Sequence, residues 1–149
     1  MEVDSKGLEV LGRDECLRLL TVVSVGRIGF TSGALPTVLP VTFHLEEERI
    51  YVRTGRGSTL DAALQDSVVA FEADDFDPVD HCGWSVAVTG LASSVSTPIG
   101  LGLAQRELPA PWAIGASEAV LAISTELVSG RRTTATPRAL QKSCPSLPP

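Results

Sequence analysis

From Val25 onward the chain alternates. In VGRIGFT, Ile28 and Phe30 fall on one side, and Val25, Arg27, Gly29 and Thr31 on the other. That period of two predicts a strand over 25–31. Ser32-Gly33 supplies turn chemistry, and LPTVLPVTFHL predicts a second strand over 35–45. Pro40 stands in its middle. Proline has no N–H to give to a ladder, so Pro40 marks an edge, a bulge or a stretch whose backbone faces something other than a neighbouring strand. Glu46-Glu47-Glu48 reads as a solvated turn that closes a hairpin onto Arg49–Thr54. Further strands are expected over 67–73 (SVVAFEA), 84–96 (WSVAVTGLASSVS) and 119–132. Gly90 falls where a long strand bends or bulges.

Helical spacing is scarcer. Cys16, Leu17, Leu19, Leu20 and Val23 predict one amphipathic helix over 14–23. Leu60, Ala63 and Leu64 predict a short one, and residues 97–108 a poor one weakened by Gly100 and Gly102. Residues 1–11 read as a loose arm. From Thr133 the chain holds four prolines among polar residues and reads as a disordered tail over 133–149. The expected fold is therefore one domain over 1–132, mainly β: a six-stranded antiparallel barrel with peripheral helices. Such a barrel leaves little interior volume, so a large cofactor would bind outside it or between subunits.

The stretch RIYVRTGRGSTLDAALQD, 49–66, carries the most chemistry. It runs from a strand through Gly55-Arg56-Gly57 into a helix start. Ser58 stands at the N-cap position, with Asp61 three residues later. Glycines let backbone N–H groups approach a ligand, a helix start adds unpaired donors, and arginine offers a planar fork that matches phosphate. The corner therefore suits an anion. A capped helix after a tight turn gives the same pattern, and the Walker spacing is absent.

Of the net charge of −6, the last nineteen residues contribute +4, so the body carries −10. That excludes an extended basic face for nucleic acid. The apolar runs are too short to span a bilayer, and no signal-peptide core is present, so a cytoplasmic location is expected. Cys16, Cys82 and Cys144 lack metal or disulfide-framework spacing. The acidic stretch DDFDPVDHCG is not a calcium loop. No metal site is expected, and no serine, histidine and acid constellation is visible, so no catalytic side chain is assigned.

VGRIGF, LPTVLPVTF, RIYVRTGRGSTLDAAL, VVAFEADDFD, GWSVAVTGLAS, PW and LVSGRR follow one another over residues 8–132. This series resembles the pyridoxamine 5′-phosphate oxidase-like flavin-binding split barrels, in particular their short actinobacterial-type members. The resemblance implies a homodimer with two flavin sites at the subunit interface. It implies that Arg53, Thr54, Ser58 and Thr59 hold the flavin phosphate. The ring would lie against the backbone of Pro40-Val41-Thr42. The second subunit would close the pocket with Trp84, Trp112, Arg131 and Arg132. Thr59 stands where many relatives carry lysine, and losing that charged donor removes roughly 1.5–3 kcal/mol, or ten-fold or more in affinity.

The function this implies is an FMN-dependent oxidoreductase acting on a small molecule. A deazaflavin (F420) reductase is the near alternative, because some family branches use the same groove. A binding module that holds flavin or haem without turnover, or a cofactor-free barrel, comes from a different class. His44 is the one strand histidine that could ligate iron.

Overall fold

A computed structural model describes residues 2–55, 64–95, 102, 106–108 and 118–133. Its elements are β1 (Leu8–Leu11), α1 (Arg13–Leu20), β2 (Val25–Ser32), β3 (Leu35–Glu46), β4 (Arg49–Gly55), β5 (Ser67–Phe76), β6 (Gly83–Ser94), β7 (Glu118–Ser124) and β8 (Leu127–Thr133). The sheet order is β1-β8-β6-β5-β2-β3-β4-β7, and β7 also pairs with β6. That last pairing closes β2 to β7 into a six-stranded antiparallel barrel, with β8 and β1 continuing from its wall. The expected fold class is borne out: mainly β, with one helix among the described residues.

The alternation seen in the sequence becomes the inside and outside of the barrel. Ile28, Phe30, Val41, Phe43, Ile50, Val52, Val69, Phe71, Val88, Leu121 and Ile123 are buried in one cluster. Each such side chain stabilises the fold by about 1.5–3 kcal/mol. Phe43 and Phe71 meet edge to face, with ring centroids 4.8 Å apart. Helix α1 buries Cys16, Leu17, Leu19 and Leu20. It can settle on β8 because Gly130 has no side chain: a Cβ there would lie 2.6 Å from the Cys16 sulfur.

Gly90 is where β6 changes partner. Residues 84–89 of β6 pair with β8, and 92–94 pair with β7. The turn between β7 and β8 presses against that point, so a Cβ on Gly90 would fall 1.8 Å from the Ser124 carbonyl oxygen. The β2–β3 and β3–β4 turns are two residues each, with positive φ at Gly33 and Ala34 and at Glu47 and Glu48. The strand twist favours this turn geometry.

Three expectations need correction. Residues 1–11 are not a loose arm: Asp4 closes a turn by accepting from the backbone of Lys6 and Leu8, and β1 then pairs with β8. The single strand expected over 119–132 is two strands, broken at Thr125-Glu126. The helix expected over 14–23 ends at Leu20. Cys82, just before β6, is disulfide-bonded, to which its spacing gave no clue. Most of the helices expected near 60–64 and 97–108, and all but one residue of the tail, lie outside the described residues.

Candidate functional site

β3 is longer than either neighbour and serves them in turn. Residues 35–42 pair with β2, while 43–46 pair with β4. The last β3–β4 pair is Phe43 opposite Val52. Beyond it β4 follows β7, with Arg53 opposite Val120 and Thr54 opposite Ala119. The barrel therefore forks between Thr42 on one side and Arg53 on the other.

The register explains the proline. Phe43 donates its N–H to the Ser24 carbonyl, so odd-numbered residues of β3 turn their backbone groups toward β2. Even-numbered residues turn theirs away. Pro36 and Pro40 are both even, so their missing N–H groups fall on the side away from β2. The pairing of β2 with β3 runs unbroken through both. No strand pairs with that outer edge over 35–40 among the described residues. Pro40 thus marks an edge, without a bulge. The edge offers the carbonyls of Pro36, Val38 and Pro40 and the N–H of Val38.

Side-chain direction sorts the expected site residues. Thr42 and Arg53 are half-buried on the outer face of the barrel, at the fork. Val41 is buried in the core. Thr54 also points inward, and its hydroxyl lies 3.5 Å from the Ala119 carbonyl. Only Arg53 of the Arg53-Thr54 pair therefore presents its side chain at the outer fork. Ser58, Thr59 and Trp112 lie outside the described residues.

Trp84, Arg131 and Arg132 are elsewhere in the same chain. Trp84 is buried on the inner face at the start of β6, with its indole N–H unpartnered among the described residues. Arg132 lies opposite it in β8 and reaches Glu9 and Glu15. Arg131 donates to Asp4 at 3.2 Å and to the Gly130 carbonyl. These arginines tie the N-terminal arm and α1 to β8. Arg18 and then Arg132 hold the Glu15 carboxyl down to about 2. Backbone donors from Leu8 and Lys6, with Arg131 behind them, hold the Asp4 carboxyl low as well. Nothing in the sequence marked the acidic partners: Asp4 and Glu9 come from a segment without an extended pattern, and Glu15 from a helix whose position against β8 the pattern does not give.

Two residues beside the fork gain significance from the fold. His44 and Tyr51 are directly opposite each other. The period of two puts them on the face that carries Thr42 and Arg53. Tyr51 packs against a small second cluster formed by Leu108 and Val120.

No helix among the described residues is long and apolar enough to cross a membrane, and among those residues no group of metal-ligating side chains comes together.

Comparison with known proteins finds the same family and fold. The family model for pyridoxamine 5′-phosphate oxidase matches residues 12–132. The chain belongs to that family. The protein Rv0080 of Mycobacterium tuberculosis is 44% identical over 133 residues, 86% of this chain and 87% of that one. The FAD binding protein of Mycobacterium smegmatis superimposes with a TM-score of 0.71 at 34% identity, over 83% of this chain and 96% of that one. A pyridoxamine 5′-phosphate oxidase-like protein of Corynebacterium glutamicum gives 0.73 at 30% identity, over 85% and 98%. The family resemblance read from the sequence is therefore borne out.

Proposed function

We propose that the chain is a flavin-dependent oxidoreductase that holds its cofactor at the fork between β3 and β4. The observation that carries this reading is the divergence of the two strands after Phe43 and Val52, with Arg53 and Thr42 on the outer face at the opening. The donor set suits a flavin phosphate or pyrophosphate: a guanidinium, a hydroxyl and the glycine-containing stretch that begins at Gly55. The carbonyl edge at Pro36, Val38 and Pro40 suits a ring that carries N–H groups. Membership of a family whose relative from M. smegmatis is an FAD binding protein supports the same class. When bound, the flavin supplies the redox chemistry, and the protein supplies orientation and electrostatics.

FMN is the cofactor we favour, with Arg53, Ser58 and Thr59 on its phosphate. FAD and F420 are the close variants.

The working form we infer is a homodimer. Across five strands the outer face carries one row, Val38–Gly29–Ala70–Thr89–Leu127, with Val68 and Leu91 in the next row. Val38, Val68 and Leu127 are each more than 60% exposed. The small residues Gly29 and Ala70 flatten its centre. A flat apolar patch flanked by the Arg27–Glu72 ion pair at 3.1 Å suits a two-fold contact with a second copy.

The test is a set of fluorescence titrations of purified protein with FMN, FAD and F420, with sedimentation run in parallel. Saturable binding of one of them by a dimer is the expected result. A monomer that binds none of the three overturns the reading.

A further inference from the structure

His44 lies next to the fork on the outer face of the barrel. Its side chain is 29% exposed, and among the described residues its one polar partner is Glu46, whose Oε2 is 3.4 Å from Nε2. Thr42 and Arg53 occupy the next positions toward the fork on the same face, roughly 7 Å along the strands. Tyr51 stands directly opposite, and its packing against Leu108 and Val120 walls that side.

Arg49 stands opposite Glu46, and Arg53 lies toward the fork on the face that carries His44. The pairing of β2 with β3 ends at Val25 opposite Thr42, so that side of the fork is not covered by a further β2 pair.

We propose that His44 is the residue through which this site exchanges protons with its ligand, and that Glu46 orients its ring. The proposal rests on the flavin reading above. With a flavin held at the fork, hydride transfer from a reduced nicotinamide would call for one accompanying proton. His44 would supply it and be reprotonated from solvent, which its partial exposure allows, while the donor would leave as oxidised nicotinamide.

The chain has two histidines, so His81 in the β5–β6 loop serves as an internal control. Ring resonances of both are followed by NMR with and without FMN. The expected result is that FMN shifts the His44 ring resonances and leaves those of His81 in place. His44→Gln is expected to keep its flavin affinity and to lose about 100-fold in the rate of flavin reduction by a nicotinamide donor, with one limb of the pH profile of that rate gone. Glu46→Gln is expected to shift that limb. If FMN binds while the His44 resonances stay in place, or if His44→Gln keeps the wild-type profile, this proposal is overturned and the flavin reading stands. If wild-type protein binds no flavin at all, both fall together.

Discussion

Glu15 of α1 and Arg132 of β8 meet across the seam between the helix and the end of the sheet. Arg18 holds the same carboxylate from within the helix, at 2.8 Å. The Glu15 carboxyl is consequently held at about 2, against an ordinary 4.5. A folded-state value below the unfolded one stabilises the fold fully above about pH 4.5 and progressively less as the pH falls toward 2. Asp4 acts in the same direction. Glu72 acts against it: burial first, and Asp74 second, raise its carboxyl, so that group favours folding on acidification. Arg132→Gln should therefore cost about 1 kcal/mol at neutral pH, the scale of a partly exposed ion-pair network. The gap to wild type should close as the pH approaches 2. Urea midpoints measured across that range check both the sign and the window.

Gly90 makes a harder demand. Any side chain there meets the Ser124 carbonyl, which belongs to backbone held by the β7–β8 turn. The Ser124 hydroxyl also accepts from the Leu91 N–H at 2.9 Å, which fixes the turn against β6. Gly90→Ala should destabilise the protein by about 2 kcal/mol or more, in the range of overpacked cores. Gly12→Ala, where a Cβ meets nothing within 4 Å, is the control. Equal denaturant midpoints for the two variants would refute the steric account.

The turn at Glu47-Glu48 should yield stability instead. Both residues hold positive φ, 47° and 58°, which costs an ordinary L-residue roughly 1–2 kcal/mol relative to glycine. Glu48 compensates through Arg13 at its carboxylate and the Thr125 hydroxyl at its carbonyl. No polar contact of the Glu47 side chain appears among the described residues. Glu47→Asn, a residue that tolerates this conformation, should raise stability by about 0.5 kcal/mol. A thermal melt that fails to rise would place the strain elsewhere.

These cases also separate what the sequence could and could not convey. Alternation alone located β2 to β6, because one face of each strand is buried and the period is short enough to read directly. β1 escaped because LEVL has only four residues, and its stability comes from a partner more than a hundred positions away. β7 and β8 merged because Thr125-Glu126 carries no glycine or proline; the break is held by Arg13, which donates to the Thr125 carbonyl at 2.7 Å. At the site, the same period of two that found the strands also separates Arg53 from Thr54 across the sheet. Pro40 was legible as an anomaly, whereas its meaning needed the register. The acidic partners of Arg131 and Arg132 needed the fold itself, since a charge on a short arm or a surface helix gives no hint of where that element docks.

The fork is tested most directly by changing its charges one at a time. Arg53→Ala removes the guanidinium from the outer face next to Thr42 and leaves the inward-facing Val52 and Thr54 of the barrel wall in place. A charged donor contributes roughly 1.5–3 kcal/mol to a hydrogen bond, so flavin affinity should fall ten-fold or more. Thr59→Lys adds an ammonium at the corner and should tighten binding by a comparable factor. Measured by fluorescence titration, the two variants should move in opposite directions. In the double variant the added lysine should recover part of what Arg53→Ala loses, because both would act on the same anion. If Thr59→Lys leaves the affinity of either background unchanged, the phosphate is not held at this corner.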